Sequence, residues 1–355
     1  MPKLNSSYTG DSPCGRAAES ARESLLFSIV IPALNEETVI GKCLDSIAHL
    51  EFPRRNFEVI IVDNGSSDRT REIAEAHRND VQLTLLLRPE VNISALRNAG
   101  AVASSGKFLI FLDADMIVPK GWLQQVVTLF ASSNADILGG SFKVPKNSSW
   151  VARVWFARRA KAVNLSPSYV PSGNLMIRRS QFDLIGGFDE SLRTSEDCDF
   201  CCRARTMGLR MAIYDDISVV HLGSPQTLQA FFKREIWHGS SVLRVFLLHS
   251  RRFQNGKPVL FAMYTLLCLA MIAVTAIFSI YRGHLSLIFP SVAMLLFAPL
   301  VLAIRNIRST GWRDLPLMFI LFLVYGISRA ISLLGYPNQH IRRRNQVDSL
   351  QAASQ

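Results

Sequence analysis

The sequence of 355 residues lacks three features that would each point to a particular class of protein. Its six cysteines have no regular spacing, which argues against a disulfide framework and favours a reducing compartment. The N-terminus carries no apparent secretory signal, because the apolar run at 25–34 is short and has no small-residue cleavage site. No glycine-rich, lysine-containing phosphate loop lies near the N-terminus, which disfavours a nucleotidyltransferase. We therefore expect the first 240 residues to stay in the cytosol.

Charge is missing from two long stretches near the C-terminus. Residues 259–280 and 285–304 are charge-free, and each is long enough, at about 20 residues, to cross a bilayer as a helix. A third stretch, 315–334, has the same length but contains Arg329. That side chain has to reach the interface, face a partner helix or mark an interfacial segment. We predict a membrane domain at 241–340 with two or three transmembrane helices.

The basic residues around these helices predict their orientation. Positively charged flanks favour the cytosolic side, and four of them precede the first apolar helix: Arg244, Arg251, Arg252 and Lys257. Two spans also put the tail residues 342–344, all arginine, on the cytosolic side, whereas three spans put them outside. We therefore expect two full spans plus an interfacial or re-entrant third segment. The predicted location is the cytoplasmic (inner) membrane, multi-pass, with the soluble part facing the cytosol.

The net charge of +11 raises the question of nucleic acid, but much of the excess flanks the apolar helices or lies in the tail. Anionic membrane lipids are the better partner for charge in that position, so we expect no nucleic acid. The polar residues 1–24 predict a disordered N-terminal tail, and 341–355 predict a basic polar tail.

Apolar runs that end in polar residues alternate with helical patterns in the first half of the chain. The runs are "FSIVIPALNEE" (27–37), "FEVIIVDNGSSD" (57–68) and "KFLIFLDAD" (107–115), and they read as strands buried on both faces. Helical patterns follow at 36–50, 67–78 and 92–104, the last beginning at a capping Asn92. This order predicts an α/β domain with a mostly parallel, Rossmann-like sheet, followed by the C-terminal transmembrane helices.

Ligands of such sheets bind outside the carboxyl ends of the strands. Four polar residues fall at or just past those ends: Asn35, Asp63, Asp113 and Asp115. Two carboxylates held together raise each other's pKa unless a cation neutralises them, and Mg²⁺ or Mn²⁺ commonly bridges carboxylates to substrate phosphates. The alternative is that Asp113 and Asp115 merely cap the next loop.

Four segments in order resemble the family-2 glycosyltransferases: "IVIPALNEE", "IIVDNGSSD", "LDAD" and "GGFDESLRTSEDCDFCCRARTMG". The resemblance covers roughly residues 27–240 and implies the GT-A fold, so that 25–240 form a GT-A glycosyltransferase domain. It also implies use of a nucleotide-diphosphate sugar with Mg²⁺ or Mn²⁺.

Carried over by position, the resemblance places Pro32, Ala33 and Asn35 in the loop that contacts the nucleoside. It implies that Asp63 contacts the edge of the nucleotide base and that Arg97 lies near the nucleotide. Local sequence leaves alternatives open, since Asp63 could cap the helix beginning near Ser67 and an arginine on a surface helix is commonly solvated.

Further donor-side roles follow from the same resemblance. Asp113 would touch the ribose or the metal, Asp115 would bind the metal that bridges the diphosphate, and Gly173 would lie beneath the sugar. An ordinary turn explains Gly173 almost as well. His221 matches a histidine that serves as an additional metal ligand in part of the family, although a lone histidine is more often structural.

The acidic pair in "SEDCDF" resembles the family's catalytic pair. Asp197 is the expected base that takes the proton from the acceptor hydroxyl, with Glu196 in support. The alternative is an acidic first turn that complements the helix dipole. Cys198, Cys201 and Cys202 follow closely; because no second pair lies nearby for a zinc site, we expect them to pack as small apolar residues.

The segment 229–241 looks amphipathic, and we expect Phe231, Phe232, Ile236 and Trp237 to rest in the lipid interface. Processive polysaccharide synthases have a contiguous Q-x-x-R-W pattern near here. In this chain Gln229, Arg234 and Trp237 are more widely spaced, which favours transfer of a single sugar.

The sequence thus predicts a metal-dependent, inverting glycosyltransferase of the hexosyltransferase type. The resemblance implies the inversion, and the membrane anchor suggests a lipid-linked glycan acceptor in polysaccharide or glycolipid assembly. Two alternatives remain open, namely a polyprenyl-phosphate glycosyltransferase and a nonenzymatic membrane scaffold that binds nucleotide sugar.

Overall fold

A computed structural model describes residues 26–158, 163–249 and 256–335. The predicted tails at 1–24 and 341–355, including the arginines at 342–344, lie outside the described residues. Contacts divide the chain into two compact units. In the described residues the first unit holds 26–145, 163–191 and 196–223, and the second holds 146–158, 192–195, 224–249 and 256–335. The boundaries predicted at 240 and 340 stay predictions.

The first unit is built on a mixed sheet of the nine strands found in the described residues. These strands are β1 (Phe27–Ala33), β2 (Phe57–Asp63), β3 (Leu83–Leu87), β4 (Phe108–Leu112), β5 (Met116–Ile117), β6 (Ile137–Lys143), β7 (Val163–Asn164), β8 (Asn174–Arg178) and β9 (Met211–His221). The sheet order is β3-β2-β1-β4-β8-β6-β9-β5, and β7 pairs with β9. The predicted Rossmann-like parallel arrangement is confirmed in β3-β2-β1-β4, and the chain beyond β4 adds antiparallel pairings to it.

The helices of this unit cover both faces of the sheet. They are α1 (Ile40–Ala48), α2 (Thr70–Ala76), α3 (Ile93–Ala103), α4 (Trp122–Ser132), α6 (Arg179–Ile185) and α7 (Glu196–Thr206), with α5 (Trp150–Ala157) belonging to the second unit. All seven residues of β1 and of β2 are buried, because alternate side chains enter the cores on the two faces. The predicted cap of α3 is confirmed, since Asn92 Oδ1 accepts a bond from the Ala95 N–H at 3.0 Å.

The expected nucleoside loop needs one correction. Pro32 and Ala33 are the last residues of β1 and are buried, because β1 continues its pairing with β2 as far as Ala33 opposite Asp63. Asn35 lies beyond the strand and is exposed.

The second unit is helical in its described part. Besides α5 it contains α8 (Leu228–Gly239), α9 (Val242–Leu248), α10 (Lys257–Arg282), α11 (Phe289–Thr310) and α12 (Leu315–Leu333). Three segments are long and apolar enough to cross a membrane: Lys257–Arg282, Phe289–Ile307 and Trp312–Leu333. The sequence prediction of three such stretches is confirmed.

The predicted lipid contacts of the amphipathic segment are partly wrong. Phe231 and Ile236 are buried within the second unit, where the Phe231 ring lies 4.7 Å from that of Trp155. Their apolar face meets protein, whereas Trp237 is half exposed and stays available to lipid.

Candidate active site

Sheet register brings the predicted polar residues to one edge. Asp63 is the last residue of β2, opposite Ala33 at the end of β1. Phe111 of β4 pairs with Val30, so Asp113 follows β4 at the same edge. The carboxyl ends of these parallel strands therefore deliver the side chains to the place where α/β proteins bind ligands.

Arg97 on α3 joins two of the predicted site segments. Its side chain is 3% exposed, with Nη2 2.7 Å from Asp113 Oδ1 and Nη1 2.6 Å from Glu196 Oε1. The alternative of a solvated arginine is wrong, because α3 packs against β1 and β2 and directs this residue inward. The predicted role near the nucleotide stays a prediction. The planar guanidinium can bind two carboxylates with separate nitrogens, which a lysine cannot do in the same geometry.

The acidic pair begins α7, so its position fits both interpretations of the sequence. Glu196 is buried on Arg97, while Asp197 is half-buried and accepts a 2.8 Å bond from the Cys198 N–H. Desolvation and the neighbouring Glu196 charge raise the pKa of Asp197 to about 7, against the opposing effect of Arg97. A carboxyl group in that range can accept a proton near neutral pH.

The loop before β8 contacts both acidic groups. Ser172 Oγ donates to Glu196 Oε1 at 3.1 Å, and the Ser172 backbone hydrogen bond lowers the pKa of Asp197. The Gly173 carbonyl accepts from the Asp113 N–H at 3.3 Å, and a Cβ on Gly173 would collide with the Asp113 carboxylate. Gly173 is thus required for the close approach of two loops, and Ser172 is a site residue that the sequence analysis missed.

Asp115 lies beside His221, as strand pairing dictates. Met116 of β5 pairs with His221 of β9, and Asp115 Oδ2 is 2.9 Å from His221 Nε2. The Leu222 N–H donates to the Asp115 carbonyl at 2.8 Å. Gly223 has no Cβ, and one would overlap the Asp115 carboxylate. The backbone therefore closes tightly around this aspartate.

Carboxylate is the donor that suits Mn²⁺ or Mg²⁺, so Asp115 fits a divalent metal, whereas the His221 imidazole beside it suits a transition metal better than Mg²⁺. Asp113 contributes one oxygen to Arg97 and has its other oxygen beside Gly173. Within the described residues, no three His, Cys, Asp or Glu side chains are already arranged to hold a metal ion. The ligand roles of Asp113, Asp115 and His221 stay predictions.

Glu36 is a second residue that the sequence analysis missed. It is half-buried one residue after Asn35, and desolvation together with the charges of Asp115 and Asp113 raises its pKa to about 7. Glu36 thus lies close enough to both aspartates for their charges to act on it. The "NEE" sequence after a buried strand was the available signal, since ligands of such sheets bind outside the carboxyl ends of the strands.

Asp63 is fully buried and ties down the turn after β2. Its Oδ1 accepts from the N–H groups of Gly65 and Ser66 at 3.0 and 2.9 Å. Ser66 Oγ lies 2.9 Å from the Asn35 N–H, and Asn35 Oδ1 accepts from the Ser67 N–H at 2.9 Å. Asn35 has φ +57°, a conformation that asparagine tolerates better than most residues. Asp63 therefore fixes the loop that presents Asn35, and the helix expected near Ser67 begins at Thr70.

The three neighbouring cysteines lie on α7. Cys201 and Cys202 are buried, and Cys201 contributes to the same core as Phe182, Phe188 and Phe200. Burial raises the pKa of Cys201 to about 12, so this thiol stays protonated. The expected packing as small apolar residues is confirmed for Cys201 and Cys202.

Comparison with known proteins decides the family. A model described as "Glycosyl transferase family 2" matches residues 28–186, and one described as "Glycosyl transferase family group 2" matches 108–327, more than half of the chain. The chain belongs to glycosyl transferase family 2. The glycosyltransferase AglE of Haloferax volcanii is 30% identical over 227 residues, which cover 62% of this chain and 74% of AglE.

Two further similarities extend over more of this family 2 glycosyltransferase. The probable glycosyltransferase YdaM of Bacillus subtilis is 25% identical over 339 residues, covering 86% of this chain and 80% of YdaM. The mannosyltransferase PcManGT of Pyrobaculum calidifontis, solved with GDP-Man and Mn²⁺, superposes with a TM-score of 0.56 at 18% identity, covering 85% of this chain and 86% of that one. The latter similarity establishes the GT-A fold.

Proposed function

We propose that this family 2 glycosyltransferase moves one sugar from a nucleotide-diphosphate sugar to a lipid-linked acceptor, with inversion at the anomeric carbon. The observation that carries the proposal is the Arg97 bridge between Asp113 and Glu196. It brings the expected donor-side carboxylate close to the start of α7, where the expected base, Asp197, follows Glu196, as a direct displacement requires.

The donor side is rich in negative charge, since Glu36 interacts with Asp113 and Asp115. Asp115 and His221 would hold Mg²⁺ or Mn²⁺, which as a Lewis acid would offset charge on the departing diphosphate. The solved relative contains GDP-Man and Mn²⁺, which supports this assignment. We assign the nucleoside to Asn35 and the turn fixed by Asp63, with Pro32 and Ala33 forming the strand end beneath it.

Asp197 is the proposed base. Its raised pKa, about 7, lets it accept the proton of the acceptor hydroxyl as that oxygen attacks the anomeric carbon. Glu196 is held on Arg97 and Ser172 and orients the start of α7. Gly173 leaves room for the donor-side carboxylate beneath the sugar.

The acceptor is assigned from the apolar helices. Three segments long enough to span a bilayer would keep the enzyme at a membrane, where a lipid carrier presents its glycan at the surface. We place the catalytic unit in the cytosol at the inner membrane, because the basic residues before α10 favour that side.

The test is transfer of label from radiolabelled nucleotide sugars to membrane lipid extract by the purified full-length enzyme. We expect a metal-dependent glycolipid product, and an activity loss of about 10²-fold or more in Asp115→Asn and Asp197→Asn. Asp216→Asn, an exposed carboxylate in the same unit, is the matched control and should keep its activity. Activity that survives both site substitutions would refute the assignment.

A further inference from the structure

The three apolar helices of the second unit differ in what covers them. At the N-terminal end of α12, Asp314 forms an ion pair with Arg153 of α5 at 3.0 Å. In the middle of α12, Phe322 and Tyr325 pack on Trp155, with ring centroids 5.7 and 5.4 Å apart. The first half of α12 therefore rests on α5.

The second half of α12 rests on α8. Arg329 Nη2 lies 2.7 Å from Glu235 Oε2, and Ser332 Oγ donates to the Ile236 carbonyl at 2.8 Å. Gly239 lies so close to Ser332 that a Cβ there would overlap it. From Asp314 to Ser332 the helix extends about 27 Å, so protein contacts accompany it along almost its whole length.

Both ends of α12 are tied to chain on one side of the bilayer. Its beginning follows α11, and if α10 and α11 both cross, α11 ends on the side where α10 begins. Its end forms a cleft of about 470 Å³ with residues that precede α10, including Ser240, Leu243 and Arg244. Phe261, in the first turns of α10, stacks on Tyr325 with centroids 5.9 Å apart. A crossing helix would have its end on the opposite side.

The charges on the accompanying helices lead to the same conclusion. The Arg153 side chain is 53% exposed, and Lys233 on α8 is exposed. Had α12 crossed the bilayer, α5 and α8 would have been carried into the hydrocarbon with these charges, which is costly.

The remaining surface of α12 suits the boundary between headgroups and acyl chains. Ile320, Ile327 and Ile331 lie on the side away from the α5 and α8 contacts at helical spacing, and each is at least partly exposed. Trp312, just before the helix, is 73% exposed, and tryptophan favours the membrane–water interface.

We propose that α12 lies in the plane of the membrane interface, with its apolar side on lipid, and does not cross the bilayer. Only α10 and α11 of the three segments then span the membrane. The loop between α10 and α11 and the chain after α12 accordingly lie on opposite sides.

The side of each segment can be tested on the full-length chain in sealed vesicles. An epitope tag is placed after His284, between α10 and α11, in one chain and after Gln355 in another, and protease protection is measured before and after permeabilisation. We expect opposite protection patterns. Identical patterns at the two positions would overturn the proposal, because three spans put both tags on one side.

Depth along the helix gives an independent measurement. Nitroxides are attached through a genetically encoded ketone amino acid at positions 320 and 331, about 16 Å apart along α12. We expect the two labels to have the same depth by oxygen and nickel-chelate relaxation. Positions 267 and 278 on α10 have the same spacing and exposed side chains, so they are the matched control. The membrane depths of these two labels should differ by about 10 Å or more. A comparable difference on α12 would overturn the proposal.

Discussion

Two arginines with little exposed side-chain surface, one in each unit, show opposite uses of the same chemistry. Arg97 in the sheet unit contacts two carboxylates and lies close to a third, Asp197. Arg329 in the helical unit pairs with Glu235, and the two charges of that pair cancel. The first cluster retains excess negative charge, which the proposed divalent metal would offset. The second contributes to holding α12 on α8, so we interpret it as architectural.

The largest expected effect is on kcat, which should depend on the Arg97 cluster far more than on the Arg329–Glu235 pair. We expect Asp197→Asn to lower kcat by about 10²–10⁴-fold, because the amide cannot accept the acceptor proton. Thermal unfolding in detergent should show a retained fold. Removal of Glu235 should change stability far more than kcat per folded molecule. A normal kcat in Asp197→Asn would show that excess charge at Arg97 serves no catalytic purpose.

The second prediction compares the clusters by replacement. Arg97→Met and Arg329→Met should each destabilise the protein by about 3–5 kcal/mol, since both leave buried carboxylates uncompensated. Combining Arg329→Met with Glu235→Leu should restore most of that stability, because apolar residues can replace a balanced buried pair. Denaturant titration in detergent measures both. If the double variant stays as unstable as the single one, Arg329 has a further role.

The substitution Arg97→Lys tests the role of the guanidinium more specifically than Arg97→Met does. This variant keeps the charge but loses the planar fork, so we expect a kcat loss of about tenfold or more with a smaller stability change than in Arg97→Met. Arg329→Lys, the matched change in the other cluster, should leave kcat within about twofold.

The smallest expected effect is a pH dependence of stability. The pKa of Asp197 is raised from 3.8 to about 7 in the folded protein, so its stabilising contribution is present below pH 4 and is lost as pH rises through 7. Between pH 5 and 8 the Tm of the wild type should fall by about 2–4 °C more than that of Asp197→Asn. Parallel Tm curves would contradict the shifted pKa.

The sequence predicted which residues lie at the edge of the sheet better than it predicted which of their side chains contact each other. Runs such as "FEVIIVD" predict strands buried on both faces, and right-handed crossovers then bring Asp63 and Asp113 to one edge. The helix cap at Asn92 was equally predictable from the sequence, because a capping side chain bonds to a backbone N–H only three residues away. These features follow from local spacing and from rules of topology.

The sequence did not predict the contacts between segments that are far apart in the chain. Arg97 and Glu196 meet although 99 positions separate them, and no local pattern predicts that distance. For the same reason Ser172 escaped notice. Phe231 and Ile236 were assigned to lipid because an amphipathic pattern shows that an apolar face exists, without showing whether lipid or another helix covers it.

The shared guanidinium of Arg97 also restricts how this enzyme can be re-engineered. A library that varies position 113 also disturbs position 196, since both carboxylates are held by the same guanidinium, each on its own nitrogen. Active variants should therefore carry coordinated substitutions at 97, 113 and 196. Variants with a single substitution at any of the three positions should be lost in a selection for activity.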